Sequence, residues 1–130
     1  MGKGRAKALV LDAGALIAFE RGDERIRALV RESLKSGARL VVPAGVVGQV
    51  VRNPAEQVRL RALMNGPTSS VPPLDRPLAE AAGVLCGRRR TSDVVDASVV
   101  LVARREQAVV VTSDVDDLRR LDENVPLERV

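Results

Sequence analysis

Two hydrophobic rhythms run along the chain. Short unbroken apolar runs, "ALVL" (8–11), "LVV" (40–42) and "VVVT" (109–112), predict strands buried on both faces. Between them, apolar residues recur at helical spacing. After Gly22, Asp23 is a candidate cap for a helix with Ile26, Leu29, Val30 and Leu34 on one face, and Gly37 is its stop. A second helical stretch follows Pro43 and runs towards Arg52. "NPAE" (53–56) marks another start, with Asn53 as cap, Pro54 in first position and Glu56 reaching back; Asn65-Gly66 ends that helix. "TSSVPPLD" (68–75) reads as a connection with a short strand near Ser70–Val71. Asp75 caps a helix to about Gly87, the next runs from near Ser92 to about Gln107, Asp114 opens a last short one, and "PLERV" adds an edge strand. Strands alternating with helices predict an α/β domain with a mainly parallel sheet. No linker, repeat or low-complexity segment interrupts it.

Composition narrows the chemistry. The 130 residues suit one domain, expected over 8–130 after a basic arm, "MGKGRAK" (1–7). Phe19 is the only aromatic residue and there is no histidine, so acid–base or metal chemistry must rest on carboxylates, Lys, Ser/Thr or Cys86. The single cysteine permits no internal disulfide, which suits a reducing, cytoplasmic setting. No apolar run is long enough to span a membrane, and Asp12 interrupts what would otherwise follow the basic arm as a signal-peptide core. Cys86 sits among apolar helix residues and reads as core.

The net charge of +4 is uneven. Residues 1–90 hold 16 basic and 8 acidic side chains, whereas residues 91–130 hold 5 and 9. A basic body suits an anionic partner such as RNA or DNA, and an acidic end folded against the first strand suits a cation.

The acids at strand ends are the candidates for a site. Asp12 follows the first strand and Asp114 follows "VVVTS" in the same way. In parallel sheets ligands bind beyond the carboxyl ends of the strands. In "TSDVVDASVVLVA" (91–103), Asp93 and Asp96 are three apart, on one face of a first helical turn. Acids there also complement a helix dipole, and for Asp93 that reading and a site role both stand. Asp96, nearly a turn in and beside apolar neighbours, reads as a site residue. Asp114 alone reads as an N-cap, with Asp117 completing a capping box; its match to Asp12 raises it to a site candidate. Converging carboxylates repel by roughly 4 kcal/mol at a separation of about 4 Å and an effective dielectric near ~20. A divalent cation relieves that, and hard oxygen donors suit Mg²⁺ or Mn²⁺ and phosphodiester hydrolysis.

Taken in order, "LVLDAGALIAF", "VPAGVVGQVVR", "TSDVVDASVVLVA" and "VVVTSDVDDLRRL" resemble the PIN domain, and more narrowly the VapC-like ribonuclease toxins of type II toxin–antitoxin systems. The resemblance covers nearly the whole chain. It implies a PIN-like three-layer sandwich, with a five-stranded, mainly parallel sheet and helices on both faces. It further implies an acidic Mg²⁺/Mn²⁺ pocket, RNA cleavage, homodimers and a cognate antitoxin that blocks the pocket. Asp12, Asp96 and Asp114 fall on the family's acidic positions, with Asp93 and Asp117 beside them as further metal candidates. The chain departs from the pattern at Gln49, where the family usually carries Glu. An amide oxygen can coordinate or orient a water but brings no charge. Weakened activity is therefore expected, and a catalytically impaired module that binds an antitoxin or RNA is the alternative.

Arg88, Arg89 and Arg90 precede Asp93 and are candidate phosphate contacts, or cations complementing a helix end. Arg52 matches a basic family position that touches substrate or another acid. Thr112 and Ser113 are candidates to hydrogen-bond the pocket carboxylates or to cap the last helix. Leu60, Leu63 and Met64 fit either core or a dimer face. Two other α/β classes fit poorly. A phosphoacceptor receiver needs a late lysine, and none follows Lys35; a phosphatase with a nucleophilic Asp usually has another Asp two residues on, where this chain has Gly14.

Overall fold

A computed structural model describes residues 7–130. The predicted arm, residues 1–7, lies almost wholly outside the described residues. The elements run β1 (Ala8–Leu11), α1 (Ala13–Glu20), α2 (Glu24–Lys35), β2 (Arg39–Val41), α3 (Ala44–Val50), a 3₁₀ turn (Pro54–Glu56), α4 (Val58–Met64), β3 (Ser69–Ser70), α5 (Arg76–Arg89), α6 (Val94–Glu106), β4 (Val109–Thr112), α7 (Val115–Leu121) and β5 (Leu127–Arg129).

The five strands form one sheet in the order β3-β2-β1-β4-β5, and every neighbouring pair is parallel. The apolar runs occupy its centre: Leu9, Val10 and Leu11 lie opposite Val109, Val110 and Val111. All four β1 residues are buried, as a strand covered on both faces requires. The chain steps outward from β1 to β2 and β3, then returns to β4 and β5 on the other side of β1. Right-handed crossovers therefore place α1–α4 on one face and α5–α7 on the other. The reversal lies between β1 and β4, so the crevice at their carboxyl ends is the expected ligand position.

Local signals explain most helix limits. Asp23 Oδ1 accepts the N–H groups of Arg25 and Ile26 at 2.9 and 3.2 Å and starts α2, whose Ile26 and Val30 enter the core. Gly37, at φ +84°, follows its last turn. Asp75 Oδ1 accepts from Leu78 N at 3.0 Å and starts α5. In α6, Val99, Val100, Val102 and Ala103 are buried against the sheet, while Leu60 of α4 is fully buried and so belongs to the core. Cys86 is buried as expected.

The "NPAE" segment differs from its sequence reading. Asn53 makes no side-chain cap, and the 3₁₀ turn stops before α4 begins. Buried Gln57 is the reason. Its Oε1 accepts the backbone N–H groups of Arg52 and Asn53 at 2.9 and 3.1 Å. Its Nε2 donates to Val50 O at 2.9 Å and to Glu20 Oε1 at 3.3 Å, tying the end of α3 to the end of α1. Gln57→Ala leaves those backbone groups without partners and is expected to cost about 1–3 kcal/mol. Urea unfolding should show a lower midpoint at an unchanged slope.

Candidate functional site

The candidate acids sit at the β1/β4 crevice. The N–H of Asp12 continues the ladder to Val111 O at 3.3 Å, and its carboxylate caps α1, Oδ1 accepting Ala15 N–H at 2.9 Å. The strand thus passes straight into a helix through one buried acid, 4 % exposed. Burial pushes its carboxyl above the usual range and the charge of Asp114 adds to that; hydrogen bonds from the Thr112 hydroxyl and from the Ala15 and Gly14 N–H groups pull the other way.

Thr112 is fully buried at the end of β4 and links two of the acids. Its hydroxyl donates to Asp12, and the same oxygen accepts the N–H of Asp114 at 2.8 Å. Asp114 stands in the N-cap position of α7 but makes no side-chain cap, and it is exposed. The capping-box reading of Asp114 and Asp117 therefore does not hold, and the Asp114 carboxylate is left for another role. Ser113 lies beside them, close against Gly14: a Cβ on Gly14 would stand 2.1 Å from Ser113 Oγ. Only a glycine lets the first turn of α1 approach this edge without displacing that hydroxyl.

From the other side comes α6. Asp93 caps it, Oδ1 accepting Asp96 N–H at 2.9 Å. Asp96 is half-buried, and its carboxyl is pushed up to about 7. Burial is the largest cause, followed by the charges of Asp93 and Asp12, a carboxyl–carboxyl hydrogen bond with Asp93, and Asp117. Asp12, Asp93, Asp96, Asp114 and Asp117 thus feel one another across a single rim. The set is loose: among the described residues, no three His, Cys, Asp or Glu side chains stand close enough together to hold a metal ion ready-made. Its chemistry nevertheless fits one, since it offers hard oxygen donors whose mutual repulsion a divalent charge relieves.

Gln49 is exposed on α3. It lies one turn beyond Gly45, whose Cβ position would meet the Val95 side chain at 3.2 Å, so Gln49 belongs to the stripe of α3 facing the start of α6. Arg52 folds back on its own helix, with Nη1 donating to Gly48 O and Val51 O at 3.0 and 2.9 Å. Arg89 turns to the far end of α7, where Nε donates to Arg120 O at 2.8 Å. Arg88 borders the same cleft as Arg89 and Arg104, and Arg90 ends α5 in the left-handed conformation at φ 57°. Arg88 and Arg89 thus share one cleft, while Arg90 stands at the end of α5. Burial, with the charges of Asp93 and Asp96, pushes the Cys86 thiol up, as expected of a core thiol rather than a nucleophile.

Sequence reasoning missed Gln57 and Gly14. The signal for Gly14 was present, as a small residue two positions after a strand-ending acid; Gln57 carries none, because its partners are backbone groups near the end of α3 and a side chain of α1, which no spacing rule reveals.

Among the described residues, no helix is long and apolar enough to cross a membrane. No match to a curated protein is found. The chain is similar in fold to a chain of VapBC2 from Rickettsia felis bound to a DNA fragment from its promoter, with 14% identity, 95% of this chain and 98% of the other covered, and a TM-score of 0.69. It is also similar to a chain of FitAcB from Neisseria gonorrhoeae (17% identity, 92% and 95% covered, TM-score 0.65) and to one of FitAB bound to an IR36 DNA fragment (15%, 93% and 94%, TM-score 0.64). At such identities the likeness speaks for the fold alone. The model of the PIN domain matches residues 9–124, almost the entire α/β unit and every acid of the rim, and the chain therefore belongs to the PIN domain family.

Proposed function

We propose that the chain is a divalent-metal-dependent endoribonuclease, the VapC-like toxin of a toxin–antitoxin pair, acting in the cytoplasm as a homodimer. The observation that carries this reading is the rim itself: Asp12, Asp96 and Asp114 at the β1/β4 crevice of a PIN domain, with Asp96 pushed up to about 7 by burial and its acidic neighbours. Mg²⁺ or Mn²⁺ would be held by Asp12, Asp96 and Asp114, with Asp93 and Asp117 on its flanks. When bound, such an ion supplies an acidified water and charge neutralisation at the scissile phosphate. The protein's part is orientation. Thr112 fixes the Asp12 carboxylate while anchoring the backbone at Asp114, and Ser113 offers a hydroxyl beside them. Hydrolysis breaks the P–O bond to the leaving ribose oxygen, which takes up a proton as water adds to phosphorus.

The basic body holds the rest of the RNA, with Arg52, Arg88, Arg89 and Arg90 as its candidate phosphate contacts. VapBC2 and FitAB, the similar structures, are assemblies bound to DNA, which supports a protein antitoxin as partner. Gln49 favours a second reading, a binding module with impaired catalysis, because a neutral amide stands on the stripe of α3 facing the start of α6. Gln49→Glu separates the two. On the nuclease reading, Mn²⁺-dependent cleavage of a single-stranded RNA is measurable in the natural protein and rises by about tenfold with the added carboxylate. No cleavage by either form leaves the binding module.

A further inference from the structure

The helices that carry the rim also enclose a second feature. A polar cleft of about 300 Å³ lies among α5, α6 and α7, lined by Arg88, Arg89 and Arg104 together with Asp122, Glu123 and Asn124. Each of the three arginines stands in the last turn of its helix. Arg104 was not a candidate from the sequence; only the packing of α6 against α7 brings it beside the α5 arginines.

Two of the guanidiniums are held by one edge. Arg104 Nε donates to Asp122 Oδ2 at 2.9 Å, and Arg89 Nε donates to Arg120 O at 2.8 Å. Asp122 is a firm anchor. Burial alone would raise its carboxyl, but the Asn124 N–H, the Arg104 hydrogen bond and the charges of Arg104 and Arg89 hold it below its ordinary value. Complementing helix ends accounts for the Nε atoms and leaves the Nη pairs. Among the described residues, Arg88 makes no hydrogen bond or ion pair and the Nη atoms of Arg104 make none; Glu123, 78% exposed, comes only within 3.9 Å of Arg89. Three guanidiniums thus face two carboxylates, one of them already engaged. A planar fork fixed at Nε with its Nη pair open suits the paired oxygens of a phosphate.

We infer that this cleft holds a backbone phosphate of the bound RNA, a few nucleotides from the one at the acidic rim, on the forks of Arg88, Arg89 and Arg104. The inference rests on the nuclease reading and adds to it a second, separate grip on the strand. Its position follows from α7. Asp114 of the rim opens that helix and Asp122 of the cleft follows its end, seven residues later or about 10 Å along the axis. A strand crossing the rim and running beside α7 therefore reaches the cleft. Contact at both ends of α7 fixes the direction in which the strand lies over the acids, which a general basic surface does not do.

The test uses the full chain in the Asp12→Asn background with Mg²⁺, and the fluorescence anisotropy of a short labelled single-stranded RNA at several salt concentrations. Arg88→Gln and Arg104→Gln are each expected to weaken binding by about threefold or more and to lower the salt slope by about 0.7. Arg88→Gln breaks no contact within the protein, so its effect is free of any change in folding. Arg104→Lys should restore the salt slope but not the affinity, because it keeps the charge without the fork. Arg105→Gln, one residue along α6, should change neither. In the natural background, Arg88→Gln should raise KM and leave kcat nearly unchanged. Binding that ignores both glutamine variants, an Arg105→Gln loss as large as that of Arg104→Gln, or no RNA binding at all overturns the inference. So does uridine monophosphate that binds through Arg104 as tightly as the RNA, which would make the cleft a site for a free nucleotide. RNA that is cut but held without these arginines sinks the inference and spares the nuclease reading. RNA held through them and cut with no metal supplied to the natural chain does the opposite.

Discussion

Asp12→Asn is expected to lower Mn²⁺-dependent RNA cleavage by about 100-fold or more while leaving the fold intact. On the proposed function, the size follows from removing a carboxylate from the ion's ligand set, which would sacrifice several kcal/mol of charge stabilisation at the reacting phosphate. The intact fold follows from local geometry. Asp12 Oδ1 caps α1 through Ala15 N–H, and an asparagine offers the same oxygen. The substitution also removes a buried charge whose ionisation burial disfavours. Asp12→Ala, by contrast, deletes the cap as well and is expected to destabilise the chain by about 1 kcal/mol. Single-turnover cleavage together with thermal melting distinguishes these effects. An asparagine variant that folds normally and cleaves at the natural rate would remove Asp12 from the chemistry.

The second large effect is one of pH. Without metal, stability is expected to fall as pH rises from about 4 towards 7. The folded chain keeps a proton on Asp96 up to about 7, whereas the unfolded chain releases it near the ordinary value of 3.8. Between those values the folded state binds more protons, so each step up in pH favours unfolding; the contribution is fully present below the unfolded pKa and lost as pH rises through the folded one. Burial makes Asp12 act in the same direction. Asp96→Asn should therefore raise the melting temperature of the metal-free protein at pH 8 and leave it nearly unchanged at pH 4. Mn²⁺ should do the reverse of a proton, stabilising the natural protein more at pH 8 than at pH 5, because ligands bind it only when ionised. Melting curves over that range, with and without Mn²⁺, read both signs.

How far the sequence carried these conclusions varies by element. The strands were legible because short runs such as "LVL" and "VVV", bounded by turn and helix-start signals, suit a sheet covered on both sides. Helix α2 was legible from its cap and its single apolar stripe. Helix α1 was not, since "AGALIAFE" is apolar on nearly every side and shows no stripe to read. The 3₁₀ turn after Asn53 was read as the start of a longer helix because the competing signal, Gln57, acts through backbone groups that no spacing rule exposes. The acids were legible one by one, each at a strand end or helix start. Their common rim followed from the strand order, which puts β1 beside β4 despite the long stretch of chain between them. Arginines resist such reading: Arg89 selects a carbonyl on α7, and Arg52 two at the end of α3 and just beyond it, among many within reach of a long side chain.

Calorimetric titration of the full chain with Mn²⁺ at pH 7.5 goes to the heart of the matter. Saturable binding with release of protons is expected, weakened strongly in Asp12→Asn, Asp96→Asn and Asp114→Asn alike, as the proposal that the three carboxylates share one ion requires. No detectable binding by the natural protein, or binding that survives all three substitutions, would contradict the joint acidic site on which the nuclease reading stands.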